Sequence, residues 1–75
     1  MATKARFEAE ERGRADARNY VRECGSLSIR GWREIQYAEV DRMVGERSAL
    51  QRAQMLGFIR GIGIHIAILE VAAQS

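Results

Sequence analysis

The sequence predicts an all-α fold in which two or three helices form a hairpin or bundle. Three observations support this class. Proline is absent, helix-forming Ala, Glu, Arg and Gln are abundant, and β-branched residues are few before residue 55. A chain of 75 residues buries only about 60% of the surface that its unfolded form exposes. We therefore expect one small domain over residues 1–75, with a core completed by homodimerisation.

The first helix is predicted over about residues 3–24. Charged pairs at helical spacing, such as Glu10–Arg14, support it. Gly25 follows at the position where helices commonly end in a left-handed residue. Small residues recur every fourth position, which would let another helix approach closely: Ala5, Ala9, Gly13, Ala17 and Val21.

A turn over residues 25–28 leads to a second helix over 29–44, for which Ser28 is the expected N-cap. A break is then predicted over residues 45–48, because Ser48 and Gln51 have the spacing of a capping box. The alternative is one helix running through this segment. Apolar and small residues keep a seven-residue register across it, from Met43 to Val71.

The third helix is predicted over about residues 49–72. Apolar residues with heptad spacing predict its oligomer interface, and Gly57 and Gly61 would permit close backbone contact between helices. Helices this apolar are buried, and the charged first two helices offer narrow apolar faces, so a second copy is expected to cover this one. The predicted interface residues are Met55, Ile59, Ile62, Ile66 and Leu69, with a second apolar strip of Ile64, Ile68 and Val71 beside them.

Two alternatives for this segment are weighed against the helix. Residues 61–68 alternate as in a strand, but no other stretch offers a strand partner. A membrane span needs about 20 nearly uncharged residues, whereas Arg60 and Glu70 leave nine between them. We expect neither a strand nor a span, and no membrane partner.

Composition also bears on location and chemistry. The first residues run into charges instead of the apolar stretch of a secretory signal, and Cys24 is the single cysteine, so a cytoplasmic protein is expected. His65 lies between isoleucines, which favours a core or interface role over catalysis. No phosphate-binding glycine loop or zinc-ligand set occurs. We predict a protein that is not an enzyme and has no cofactor or metal.

Arginine supplies 11 of the 12 basic residues, and the net charge is +2. The second helix begins with residue types that dominate protein interfaces, which predicts a surface for an acidic groove on another protein. The alternative for Trp32 is a core position. The predicted partner-binding residues are Arg22, Arg30, Trp32, Arg33 and Tyr37.

These features favour a small protein-binding regulator or inhibitor, a type of chain that phages encode against host proteins. One alternative is a dimeric nucleic-acid-binding protein, for which Arg14, Arg18 and Arg22 at i, i+4 spacing would form a basic patch. The other alternative is a structural subunit whose apolar helix docks into a larger assembly.

Overall fold

The computed structural model describes residues 2–75, which form three α-helices. Helix α1 spans Ala2–Glu23, α2 spans Ile29–Val44 and α3 spans Ala49–Gln74. The predicted all-helical fold is confirmed in its three-helix form. Residues 61–69 are helical and residues 45–48 are not. The strand alternative and the continuous-helix alternative are therefore both wrong.

Serine hydroxyls start the last two helices. The Ser28 hydroxyl accepts a hydrogen bond from the Gly31 N–H at 3.1 Å, and the Ser48 hydroxyl accepts one from the Gln51 N–H at 3.2 Å. Each bond satisfies a backbone donor that the first turn of a helix leaves unpaired. Both predicted N-caps are confirmed. The reciprocal bond of the predicted capping box is not, since the Ser48 N–H donates to the Glu46 carboxylate at 3.1 Å rather than to Gln51.

The end of α1 differs from the prediction. No residue in the described part of the chain has a positive φ, so Gly25 does not adopt the expected left-handed conformation. Instead, the chain leaves the helix through a turn in which the Leu27 N–H donates to the Cys24 carbonyl oxygen at 3.2 Å.

Helix α3 lies in the middle, with α1 on one side and α2 on the other. Gly57 of α3 lies beside Glu10 of α1, and Gly61 lies beside Ala17, so α1 and α3 run parallel. Helix α2 runs antiparallel to α3, since Arg33 pairs with Glu70 while Arg42 and Gln51 line the same groove. Within residues 2–75, no Cα atom of α1 comes within 8 Å of one in α2.

Glycine lets α1 and α3 pack backbone against backbone. A Cβ added to Gly57 would overlap the carbonyl oxygen of Glu10, and one added to Gly13 would overlap that of Gln54. At Gly61 the added atom would lie 2.6 Å from the Ala17 Cβ. The small-residue stripe of α1 therefore receives another helix, as predicted. That helix is α3 of the same chain, so the close contact between helices that Gly57 and Gly61 were predicted to permit joins α1 to α3.

Polar side chains of α1 also bond to α3. Arg60 donates to the Glu10 carboxylate at 2.9 Å, and the Gln54 amide donates to the Asp16 carboxylate at 3.1 Å. Glu10 and Glu11 both have helical spacing to Arg14, and the pair that forms is Glu11–Arg14 at 2.7 Å. Exposed pairs of this kind contribute little stability. They favour one register of α1 along α3, whereas the glycine contact holds the two helices together.

The core lies where the three helices meet. Trp32 and Ile62 are completely buried, and they pack with Ala17 and Ile66. The Tyr20 ring meets Trp32 edge to face, with ring centroids 5.9 Å apart. This aromatic contact joins α1 directly to α2.

The close contact of Gly57 with the backbone of Glu10 predicts how a larger residue at position 57 changes the free energy of unfolding. Gly57→Ala should lower the free energy of unfolding by about 3 kcal/mol, because the new methyl group meets backbone that cannot rotate away. Urea denaturation followed by circular dichroism measures the change.

Gly31→Ala is the matched control. Its added Cβ meets only ordinary contacts, the nearest at 3.5 Å, so the better helix propensity of alanine should leave stability equal or higher by up to about 1 kcal/mol. Equal effects of the two substitutions would contradict the close packing of α1 on α3.

Candidate functional site

The predicted oligomer interface lies inside the chain. Met55, Ile62 and Ile66 are buried, and Ile59 and Leu69 are half-buried. The Ile59 carbonyl accepts a hydrogen bond from Gln36 of α2 at 3.1 Å. These residues are thus not free to bind a second copy, because α1 and α2 of the same chain already cover the heptad face.

The predicted partner surface on α2 is divided by the fold. Trp32 is 0% exposed, and Arg33 forms an ion pair with Glu70 of α3. Trp32 faces the core, so its assignment to a partner surface is wrong and the core alternative holds. Arg33 is half-buried, and its partner role stays a prediction. Tyr37 is 58% exposed, and Arg30 is exposed beside Glu34 at 3.8 Å.

The second apolar strip of α3 is one of the apolar surfaces that the bundle leaves open. Ile64, Ile68 and Val71 are 60%, 59% and 67% exposed. Their i, i+4, i+7 spacing places them on one face of the helix. The side chains are therefore aligned on the surface rather than scattered, and contiguous exposed apolar side chains are typical of interaction sites.

Helix α1 forms the other wall of this surface. A groove of about 210 Å³ lies between α1 and α3 and is lined by Ile64 and Ile68 on one side and by Val21 and Arg18 on the other. Ala17 and Gly61, which belong to the close contact of the two helices, also line it. The same contact that joins α1 to α3 thus brings Arg18 beside the exposed strip.

The predicted basic patch is reduced in the folded chain. Arg14 is half-buried and paired with Glu11 at 2.7 Å. Arg18 and Arg22 are exposed and enter no ion pair among the described residues. Because they are four residues apart on a helix, they lie one turn from each other on one side of α1. Arg18 lines the groove, and Arg22 lies one turn further along α1.

His65 lines the same groove. Its ring meets Trp32 edge to face, with centroids 5.0 Å apart, and its Nε2 atom is buried without a hydrogen-bond partner in the described chain. Since that nitrogen is closed to solvent, the imidazole is part of the groove wall. Among residues 2–75, no three His, Cys, Asp or Glu side chains are grouped as metal ligands would be.

A wider groove of about 480 Å³ opens between α1 and α2 and is also lined by residues of α3. Glu39 and Arg42 pair with each other there at 2.8 Å. The Asp16 carboxylate is exposed and accepts a hydrogen bond from the uncharged Gln54 amide, but it pairs with no cation among the described residues. The free charge of this groove is therefore negative, whereas that of the groove beside the strip is the positive charge of Arg18.

Helix α3 is long and apolar enough, by length and composition alone, to cross a membrane. Its most apolar window of 18 residues has a mean hydropathy of 1.7, so the expectation that Arg60 and Glu70 exclude a span on composition is wrong. Within the structure 22% of that window is buried. The central helix of a bundle passes the same test, so this property does not by itself place the chain in a membrane.

The strip and Arg18 can be identified from the sequence, but the sequence does not show that they lie together. The strip was recognised by its spacing, and Arg18 by its repeat along α1. Their proximity depends on the parallel packing of α1 on α3, which neither helix reveals alone. The small-residue stripe of α1 and the Gly57–Gly61 spacing were the signals that could have joined them.

No family model, curated protein or solved structure matches this chain.

Because Trp32 is buried, its substitution should change the stability of the fold. Trp32→Ala should lower the free energy of unfolding by about 4 kcal/mol, because removing a fully buried indole leaves a large cavity. Thermal unfolding monitored by circular dichroism is the measurement. Tyr37→Ala, at an exposed position of the same helix, should change stability by no more than about 0.5 kcal/mol. An unchanged midpoint for Trp32→Ala would show that the side chain lies outside the core.

Proposed function

We propose that this chain is a small, non-enzymatic regulator or inhibitor that works by covering part of another protein. The observation that carries the proposal is the exposed strip of Ile64, Ile68 and Val71. Three large aliphatic side chains on one face of a helix lose free energy when they leave water, at about 25 cal/mol for each Å² of apolar surface buried. A binding partner that covers them supplies that gain.

The proposed binding surface differs from the one predicted on α2. It consists of the exposed strip and the free arginines Arg18 and Arg22. An apolar centre with charged groups at its rim is the usual anatomy of a protein interface. Arg30 and Tyr37 stay accessible on α2 and provide the comparison surface for the experiment.

Site-specific photo-crosslinking in an extract of the native host tests this proposal. A photoreactive amino acid at position 68 should form a discrete adduct with one protein, whereas the same amino acid at position 37 should not, because the strip rather than α2 is covered. Ile68→Asp should abolish capture of that protein, and Tyr37→Asp should leave it intact. Circular dichroism verifies that both variants fold. Crosslinking confined to position 37, or capture that survives Ile68→Asp, would contradict the proposal.

Homodimerisation through the same strip is the second candidate. The chain exposes 5330 Å², whereas a compact monomer of its mass would expose about 4,700 Å². The excess approaches the roughly 800 Å² that each partner buries in a standard protein–protein interface. The three-helix bundle is elongated and measures 44 × 22 × 20 Å. A second copy on the open face of α3 would give a more compact particle.

Light scattering on the purified chain tests the dimer. If two copies pair through the strip, the mass should be twice 8.5 kDa and should fall to the monomer value in Ile68→Asp but not in Tyr37→Asp. A mass that stays at the monomer value over a wide range of concentrations would remove the homodimer and leave the strip to a different protein. A dimer unaffected by Ile68→Asp would place the contact elsewhere on the chain.

A further inference from the structure

The groove between α1 and α3 combines two kinds of recognition. Its apolar wall comes from Ile64, Ile68 and Val21, and its accessible charged group is the Arg18 guanidinium. Arg22 lies one turn further along α1 and is exposed. An apolar channel with positive charge along one edge complements a ligand that is apolar on one face and acidic beside it.

The shape of the groove favours a helix as that ligand. The two walls are parallel helices lined by apolar side chains, and an apolar groove is the kind of surface into which an amphipathic helix lays its apolar face. The volume of about 210 Å³ accommodates a large aliphatic side chain but not a folded domain. A partner helix would lie along the strip and insert one anchor between α1 and α3.

The arginines determine the charge of that helix. Arg18 and Arg22 form no ion pair in the described chain, so an incoming carboxylate does not have to displace an existing partner. The acid closest in sequence, Glu23, is exposed next to Arg22. Guanidinium groups bind carboxylates through paired hydrogen bonds, and acids one turn apart on the partner would match the one-turn spacing of the arginines.

The same charges disfavour a second copy as the occupant. In a two-fold contact each chain presents the same patch, so a second copy would bring a further Arg18 and Arg22 to the shared interface instead of the carboxylates that complement them. A foreign acidic helix supplies those carboxylates. Charge therefore discriminates between two occupants that the apolar strip alone would accept equally.

We infer that the groove between α1 and α3 binds an acidic amphipathic helix of another protein, with apolar anchors on Ile64 and Ile68 and carboxylates on Arg18 and Arg22. This inference rests on the proposed function, since it names the partner for the same surface. It adds the sign of the partner's charge, which protein binding in general does not require.

A charge swap on the full chain tests the inference. The probes are two synthetic peptides that form amphipathic helices with the same leucine face, one with glutamate and the other with lysine on its polar face. Amide chemical shifts of the isotope-labelled chain report where each peptide binds. The acidic peptide should bind more tightly and shift the signals of Val21, Ile64, His65 and Ile68, and added salt should weaken it.

Arg18→Glu combined with Arg22→Glu should weaken the acidic peptide about tenfold and strengthen the lysine peptide about tenfold. Arg30→Glu, an equal charge change on exposed α2, should alter neither affinity. Unchanged selectivity after the double swap would overturn the inference, as would shifts centred on α2. Tighter binding to vesicles of anionic phospholipid than to the acidic peptide would also overturn it, in favour of a membrane surface.

The two proposals fail in different ways. If position 68 crosslinks a protein in extract but the charge swap leaves peptide selectivity unchanged, the strip binds protein and the acidic-helix inference alone is wrong. If neither peptide binds and position 68 forms no adduct, the proposed function itself is wrong.

Discussion

The close approach of α1 and α3 is the constraint on which the other features of the molecule depend. Glycine at positions 13, 57 and 61 removes the side chains that would separate the two backbones. Packing at this distance gives many dispersion contacts for few buried atoms. For a chain too short to bury a large core, close backbone packing compensates in part for the small number of large apolar side chains.

This contact also determines which parts of α3 are free. Helix α1 occupies the glycine side, and α2 covers much of the heptad side, where Trp32 fills the centre. Two flanking helices do not surround a helix that is apolar on most of its circumference. The strip of Ile64, Ile68 and Val71 is what they leave uncovered, and parallel packing places the Arg18 side of α1 along its edge.

Helix boundaries and caps could be predicted because they are local. The absence of proline, the serine caps and the charge pattern depend on neighbours within a turn, and the structure agrees with them to within two residues. The choice of partner for each apolar face was not local. The heptad seam was assigned to a second copy, because sequence alone does not show that two short, charged helices suffice to cover it.

The candidate site was predictable in its parts but not in its assembly. Arg18 and the strip were recognised on separate helices, and only the parallel packing joins them. Trp32 shows the reverse error. Tryptophan is a frequent residue both in interfaces and in small cores, and the position of Trp32 was decided by α2 turning this side chain toward Ile62.

The nuclear Overhauser effect between the Ala17 methyl group and the Gly61 α-protons tests the central claim most directly. It should be strong in uniformly labelled protein and absent from the isotope-filtered spectrum of a mixture of labelled and unlabelled chains, because both residues belong to one molecule. A cross-peak that appears in the filtered spectrum would show that the glycine contact joins two copies. Its absence from both spectra would show that α1 does not pack on α3 at all.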